Sequence, residues 1–252
     1  MRIQIIAVLC TFLFIGAFGK NARIIGGKAA KIRDFPFLVS IRFHINNIHL
    51  CGGVIISQKH VLTVAHCVQD SLSNWSSLKV FAGSSSLSAV EGTAYAVEDV
   101  KFHPNYNVIL TAEDHYRNDL AIVFVIGFIQ FSELQQAIPL PTADCTIGDK
   151  VTIVGWGLAS VRRGVPIFSL RKDKSSILPR EHCNQVFNFA LYDEQICTYL
   201  KAFNSEVGDD GGPVISNGKL VGIISLRSTL FNDNYNVHSN VYQQLDFIRS
   251  VL

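Results

Sequence analysis

The segment Val61-Leu62-Thr63-Val64-Ala65-His66-Cys67 is an apolar, partly β-branched run that ends in a histidine and a cysteine. β-branched residues favour extended backbone, and an apolar run of this length is typical of a buried strand. A histidine after such a strand is either packed in the core or free to exchange protons near neutral pH. The segment predicts a strand, and the rest of the chain must decide what His66 does.

Six further stretches share the composition of a strand and are bounded by Gly, Pro, Asn, Asp or Ser. They are residues 37–43, 53–56, 78–82, 120–124, 151–154 and 220–224. Short strands at this spacing are typical of an all-β barrel or sandwich. One helix is predicted, over 241–251, where Val241, Leu245 and Ile248 share a face. The pattern predicts an all-β fold of one or two barrels with a C-terminal helix.

The first 19 residues have the features of a secretory signal peptide. Met1-Arg2 gives a positive start, an apolar run follows from Ile3 to Phe18, and Ala17-Phe18-Gly19 is a small-x-small cleavage site. The run is short for a membrane span, and no later stretch is long and apolar enough. We therefore predict a signal peptide over 1–19, an extracellular protein and no membrane partner.

The chain after residue 23 is nearly neutral. Without Arg2, Lys20 and Arg23 it carries 19 Lys and Arg against 20 Asp and Glu, a formal charge of −1. Nucleic acids and anionic lipids bind clustered basic surfaces, so this balance argues against both as partners. The remaining length, about 230 residues, is enough for two packed barrels.

Five motifs occur in order along the chain. They are Arg23-Ile24-Ile25-Gly26-Gly27, the 61–67 segment, Asn118-Asp119-Leu120-Ala121, Gly155-Trp156-Gly157 and Gly208-Asp209-Asp210-Gly211-Gly212-Pro213. In this order they resemble the trypsin/chymotrypsin-like serine proteases, from Ile24 to the C terminus. The resemblance implies one protease domain over 24–252, built of two six-stranded β-barrels with the active site between them.

The resemblance implies two of the three catalytic positions. Peptide hydrolysis on this fold needs a serine that attacks, a histidine that takes its proton and a buried aspartate that orients the histidine. His66 matches the base and Asp119 matches the orienting acid. The alternative for Asp119 is an aspartate that only caps a strand.

The third position, the nucleophile, is changed. Where the family has Gly-Asp-Ser-Gly-Gly-Pro, the third residue here is Asp210. Its carboxylate cannot act as the attacking hydroxyl, and it places negative charge beside the oxyanion donors, the N–H groups of Gly208 and Asp210. We expect His66 to be an imidazolium paired with Asp210, because an adjacent carboxylate favours the charged form.

The specificity pocket implied by the resemblance is also altered. Asn204 stands at its floor, and Ser225-Leu226-Arg227 replaces the usual Ser-Trp-Gly. Glu206 stands where relatives carry a bridging cysteine, and we expect Arg227 to reach it. The alternative is loop variation in a working enzyme of unusual specificity.

The resemblance implies two disulfides, Cys51–Cys67 and Cys183–Cys197. Each closes a loop of roughly 15 residues, which the chain-entropy model values at about 3 kcal/mol. Five cysteines follow the signal peptide, so Cys145 has no internal partner. It is either a free thiol or the site of a disulfide-linked dimer.

The Arg23-Ile24 bond resembles the family's activation site. Cleavage would release a propeptide of residues 20–23, and the new Ile24 ammonium would insert beside Asp209. The alternative is that Ile24 and Asp209 are inherited from the family and that activation by cleavage is not used.

Two further features concern modification and cofactors. Asn74-Trp75-Ser76 is an N-glycosylation sequon in a predicted surface loop. No cofactor motif is present and the histidines lack the spacing of metal ligands, so neither a cofactor nor a metal is predicted.

The sequence thus predicts a secreted, catalytically inactive serine protease homologue that acts as a binding or regulatory module. It would serve as a protease cofactor or a decoy, with an active protease, an inhibitor or a receptor as partner. The alternatives are an active endopeptidase of the same family and a purely structural protein.

Overall fold

The computed structural model describes residues 27–71, 74–88, 92–108, 116–156, 169–200, 209–227 and 235–252. The strands are β1 (Lys28–Ala29), β2 (Leu38–Phe43), β3 (His49–Ile55), β4 (His60–Thr63), β5 (Leu78–Ala82), β6 (Thr93–Phe102), β7 (Ala121–Val125), β8 (Lys150–Gly155), β9 (Arg171–Ser176), β10 (Gln195–Tyr199), β11 (Pro213–Ser216), β12 (Lys219–Arg227) and β13 (Tyr235–Asn240). The α-helices are α1 (Arg180–Phe187) and α2 (Leu245–Val251), and short 3-10 helices connect several strands.

The first half of the chain forms a closed six-stranded barrel. Its strands pair in the order β2-β3-β4-β7-β6-β5, and β5 returns to β2. Ile41, Val54, Leu62, Val80 and Ile122 are fully or almost fully buried in its apolar core. Burial of these side chains is what favours closure of the barrel.

The second half forms a seven-stranded sheet in the order β1-β9-β8-β11-β12-β13-β10. An isolated bridge between Ile177 and Thr198 brings the end of β9 beside β10, so the six longer strands curl toward a barrel. The two-residue strand β1 adds to β9 at the sheet edge. The predicted class, two barrels with a C-terminal helix, is confirmed, although the second barrel has an extra strand and is only partly closed.

The helices differ from the prediction. The C-terminal helix α2 begins at Leu245 rather than near 241, because residues 241–244 form a turn in which Gln244 N donates to Val241 O. Helix α1 was not predicted. Cys183 is its one buried side chain, so the apolar periodicity that identifies a helix is missing.

Glycines allow the two barrels to approach each other closely at one point. Gly52 N on β3 donates a hydrogen bond of 2.7 Å to Asp210 O. Gly211 has φ +81, and a Cβ there would overlap Gly52 O. The turn that carries Asp210 is thereby held directly against the first barrel.

Both predicted disulfides, Cys51–Cys67 and Cys183–Cys197, are present. Cys145 is a free, partly buried thiol. Among the described residues, no helix is long and apolar enough to cross a membrane.

Candidate active site

His66 lies in a short 3-10 helix, Ala65–Cys67, just beyond β4. The Cys51–Cys67 disulfide ties the end of this helix to β3. The side chain of His66 is 19% exposed, so one edge of the imidazole faces the cleft between the barrels. The apolar strand that was predicted before His66 is β4, which ends at Thr63, and the 3-10 helix that follows places His66 at the boundary of the two halves.

Asp119, just before β7, is fully buried and holds His66 through two hydrogen bonds. His66 N donates to Asp119 Oδ1 at 2.9 Å, and His66 Nδ1 donates to Asp119 Oδ2 at 2.7 Å. The bond from Nδ1 fixes a proton on that nitrogen, so Nε2 is the atom directed away from Asp119. This is the geometry in which a histidine can accept a proton at Nε2.

Asp210 lies opposite Nε2, in the turn before β11. Its Oδ2 is 3.8 Å from His66 Nε2, and its side chain is 16% exposed. That distance is too long for a hydrogen bond but within the range of an ion pair. Cys67 Sγ also lies 3.8 Å from His66 Nε2.

The imidazole therefore lies between two carboxylates. Burial alone would lower its pKa, but the charge and hydrogen bond of Asp119, together with the nearby carboxylate of Asp210, outweigh it and raise the pKa of His66 to about 10. The site holds an imidazolium at neutral pH. A histidine that is already protonated cannot act as a general base.

Ser225 makes a contact that was not predicted. The resemblance places it in the specificity pocket, and in the structure its buried hydroxyl donates to Asp119 Oδ2 at 2.6 Å. Its proton is directed to Asp119, so Ser225 supports the orientation of that carboxylate. Ser239 adds a hydrogen bond of 2.8 Å to the backbone oxygen of Asp119.

Several predicted site residues lie outside the described part of the chain. These are Arg23, Ile24, Asn204, Glu206, Gly208 and the side chain of Arg227. Among the predicted activation residues, Asp209 is described and is 1% exposed. Its carboxylate packs so closely on Gly155 that a Cβ there would overlap it. Gly155, the first glycine of the Gly155-Trp156-Gly157 motif, therefore leaves space for the carboxylate of Asp209.

Sequence reasoning missed three contacts near the His66–Asp119 pair. The ring of Tyr116 meets His66 edge-on, with centroids 5.2 Å apart. Arg117 Nε donates to Glu194 Oε1 at 2.8 Å, and its guanidinium lies 3.9 Å from the ring centre of Tyr192. Glu194 belongs to the second half, so Arg117 links the two barrels near Asp119. Pairs this far apart in sequence leave no local signal.

Known proteins are similar to this chain over most of its length. The family model described as Trypsin matches residues 24–248. The chain is 33% identical to chymotrypsin-2 of Vespa crabro over 228 residues, 90% of this chain and 98% of that protein. It is 30% identical to trypsin delta of Drosophila melanogaster over 233 residues, 91% of this chain and 87% of that protein. Trypsin alpha-4 of Lucilia cuprina is 33% identical over 208 residues, 81% and 77% of the two chains.

Proposed function

The chain belongs to the trypsin family of serine proteases, and we propose that it is a secreted, non-catalytic member that acts by binding other proteins. One observation carries the proposal. At the nucleophile position stands Asp210, whose carboxylate faces His66 Nε2 at 3.8 Å. The other parts of the proposal follow from the absence of a catalytic serine and from the framework that the chain retains.

The carboxylate of Asp210 disfavours both the nucleophilic attack and the stabilisation of the oxyanion. Attack by a carboxylate on an amide would form a high-energy anhydride, and its negative charge would destabilise the developing oxyanion. Together with Asp119, it also raises the pKa of His66 to about 10, so His66 is protonated at neutral pH and no base is available. Loss of the serine from a comparable triad lowers turnover by roughly 10⁶-fold.

A binding role is supported by what the chain retains. The closed first barrel, the tight contact of Gly52 with the Asp210 turn, and both disulfides keep the framework that presents the cleft. A partner that recognises the surface of a trypsin-family protease, such as an active protease, an inhibitor or a receptor, can bind such a framework without being cut. The chain would then be a protease cofactor or a decoy.

Secretion and maturation are part of the same proposal. Two disulfides are typical of an oxidising, extracellular compartment. Cleavage after Arg23 would free the ammonium of Ile24, and Asp209 is a buried carboxylate that a cationic partner would stabilise. Asn74 is exposed, with Oδ1 accepting from Ser76 N and Ser76 Oγ, which suits an N-glycosylation site.

We expect Cys145 to stay a free thiol and not to link two chains. Burial, reinforced by the charge of Asp144, raises the pKa of the Cys145 thiol to about 12. A thiol needs its thiolate form to react, so exchange at neutral pH should be slow. Non-reducing electrophoresis of the secreted protein tests it, and a monomer is the expected result.

The decisive experiment uses protein cut between Arg23 and Ile24, with the cut verified by N-terminal sequencing. It is assayed against a broad peptide-substrate library and exposed to a fluorophosphonate probe, beside an active trypsin-family enzyme treated identically. We expect neither turnover nor labelling. His66-dependent turnover would overturn the proposal, and the labelled residue would identify the nucleophile.

The second candidate, an active endopeptidase, is favoured by one observation. The His66–Asp119 pair keeps its 2.7 Å hydrogen bond. Such an enzyme would need another hydroxyl to replace the missing serine. Ser225 is already bonded to Asp119 Oδ2, which argues against it as the nucleophile.

A further inference from the structure

A cavity of about 330 Å³ opens on the surface of the second barrel, away from the residues of the cleft. Its walls come from the start of α1, the beginning of β10, the segment 144–147 and the segment 240–243. None of His66, Asp119 and Asp210 lines it. Its volume lies in the range of pockets that bind small ligands or single side chains.

The lining of the cavity is mostly polar, but part of it is aliphatic. Ile177, Leu178, Leu191 and Ile196 contribute to it, and the first and third of these are buried. Aliphatic walls of this kind stabilise a hydrocarbon chain that is removed from water. An occupant with a short aliphatic stem fits this part of the cavity.

The charged groups around the cavity are mostly negative. Asp144, Glu181 and Asp193 line it, against one cation, Arg180. Arg180 Nη1 is bonded to Asp193 Oδ1, so its charge is already paired. Glu181 is exposed and makes no ion pair among the described residues. The surplus favours a cationic occupant.

One of these carboxylates is fixed in place. Asp144 Oδ1 accepts from Cys145 N at 2.8 Å and from Asn240 Nδ2 at 2.9 Å, and Asp144 Oδ2 accepts from Gln243 Nε2 at 2.6 Å. The Asn240 side chain that holds it is itself buried. A carboxylate held by three donors presents its charge without losing rotamer freedom on binding.

We propose that this cavity is a docking site for an ammonium or guanidinium group on an aliphatic stem, supplied by a lysine or arginine side chain of a partner protein. Glu181 and Asp193 lie exposed at the cavity, where a side chain from another protein's surface can reach them. The site goes beyond the proposed function because it does not depend on whether the cleft is catalytic. Its test therefore has no activity readout.

The test titrates the disulfide-intact chain from Ile24 with Nα-acetyl-lysine methylamide and follows backbone amide resonances by NMR. Nα-acetyl-norleucine methylamide, which keeps the stem and lacks the charge, is the matched probe. We expect saturable shifts confined to residues of the cavity, with the lysine probe binding about tenfold more tightly because it adds a charge-assisted contact. Raising NaCl from about 0.05 to 0.5 M should weaken the lysine probe alone, through screening.

Variants that remove negative charge test whether the carboxylates of this cavity bind the lysine probe. Glu181→Gln should weaken the lysine probe about threefold, and Glu181→Gln with Asp193→Asn about tenfold, since each change removes one unit of negative charge. Glu98→Gln, an exposed acid on β6, is the control and should change nothing. Equal binding of the norleucine probe, or no saturable shift with either, would overturn the proposal. If free n-butylamine bound more tightly than the lysine probe, the occupant would be a small amine and not a protein side chain. That result would also overturn the proposal.

Discussion

The first barrel supplies His66 and Asp119, joined by a hydrogen bond of 2.7 Å, whereas the second barrel supplies Asp210, which we propose stands in place of the catalytic serine. The other positions at which the resemblance led us to expect departures, Glu206, Leu226 and Arg227, also fall in the second half of the sequence. Under the proposed function, the changes that remove catalysis therefore lie in the second half, and the pair that orients the histidine lies in the first.

Both barrels bury a polar side chain that is not fully hydrogen-bonded. In the first, Arg42 is 1% exposed, and among the described residues its Nη1 and Nη2 have no hydrogen-bond partner. The second buries His238 completely, with Nε2 2.8 Å from Thr198 Oγ1 and no hydrogen-bond partner for Nδ1 among the described residues. A buried polar atom without a partner costs stability. The difference between the barrels therefore lies in the residues that they supply to the site, not in how completely they satisfy their buried polar groups.

Restoring the missing hydroxyl tests whether one residue accounts for the contrast. In protein cut at Arg23, Asp210→Ser should raise peptide turnover by roughly 10³-fold over background, because it removes the negative charge and supplies a nucleophile to His66. It should still fall more than about tenfold below an ordinary trypsin-family enzyme, since Asn204 and Arg227 remain. The measurement is kcat/KM on a peptide library.

The double variant Asp210→Ser with His66→Ala is the matched control for this experiment, and its turnover should return to background. Turnover of the single variant within tenfold of an ordinary relative would mean that the second barrel's pocket is intact. The contrast between the barrels would then reduce to one side chain.

His66 and His238 should titrate in opposite directions. Burial lowers the pKa of His66, but the carboxylates of Asp119 and Asp210 raise it further, to about 10, whereas burial lowers the pKa of His238 to about 3. The stabilising charge of His66 is complete below its ordinary pKa of 6.5 and is lost as pH rises from 6.5 through 10. Neutral His238 favours folding above 6.5, and that contribution is lost as pH falls from 6.5 toward 3. Each amounts to about 5 kcal/mol at most.

NMR titration of the imidazole resonances measures both values. Asp210→Asn should bring the pKa of His66 below its wild-type value and leave His238 unchanged, because only His66 faces Asp210. Asp246→Asn, an exposed acid on α2, should leave both unchanged. An unshifted His66 in the Asp210→Asn variant would show that Asp119 alone sets its charge, and that the second barrel has no electrostatic influence on the pair.

Much of the fold follows from local composition. Residues 78–82 were predicted as a strand with the bounds observed for β5, because β-branched and aromatic residues favour a buried, pleated backbone. Helix α1 could not be predicted in this way, since it has a single buried residue. The start of α2 was placed too early, because Val241 is buried from within a turn rather than a helix.

The site was predictable only where a motif marks it. His66, Asp119 and Asp210 were assigned from the resemblance, and the structure brings all three together. Ser225 was assigned to the pocket from the resemblance, and its contact with Asp119 was not predicted because it joins residues 106 positions apart. Contacts between distant strands depend on the closure of both barrels, which no short stretch of sequence encodes.

The glycine contact between the barrels should be sensitive to a single methyl group. Gly211→Ala forces a Cβ onto Gly52 O at φ +81, and should cost about 3 kcal/mol in the free energy of unfolding. Gly218→Ala is the matched control, because Gly218 has φ +74 but nothing within 4 Å of its would-be Cβ. Its cost should be about 1 kcal/mol, from backbone strain alone. Urea unfolding measures both, and equal losses would mean that the barrels do not constrain each other at this turn.

The smallest effect is expected at Arg117, which joins the barrels at the surface. Its ion pair with Glu194 is partly exposed, with 46% and 14% of the two side chains accessible, so Arg117→Met should cost about 0.5 kcal/mol and less at high salt. Arg33→Met removes the more exposed pair with Glu133, and should cost close to nothing. If Arg117→Met costs no more than Arg33→Met, the barrels are joined at their glycine contact and core alone. A larger cost that also shifts the His66 resonances would show that the second barrel helps to position the His66–Asp119 pair.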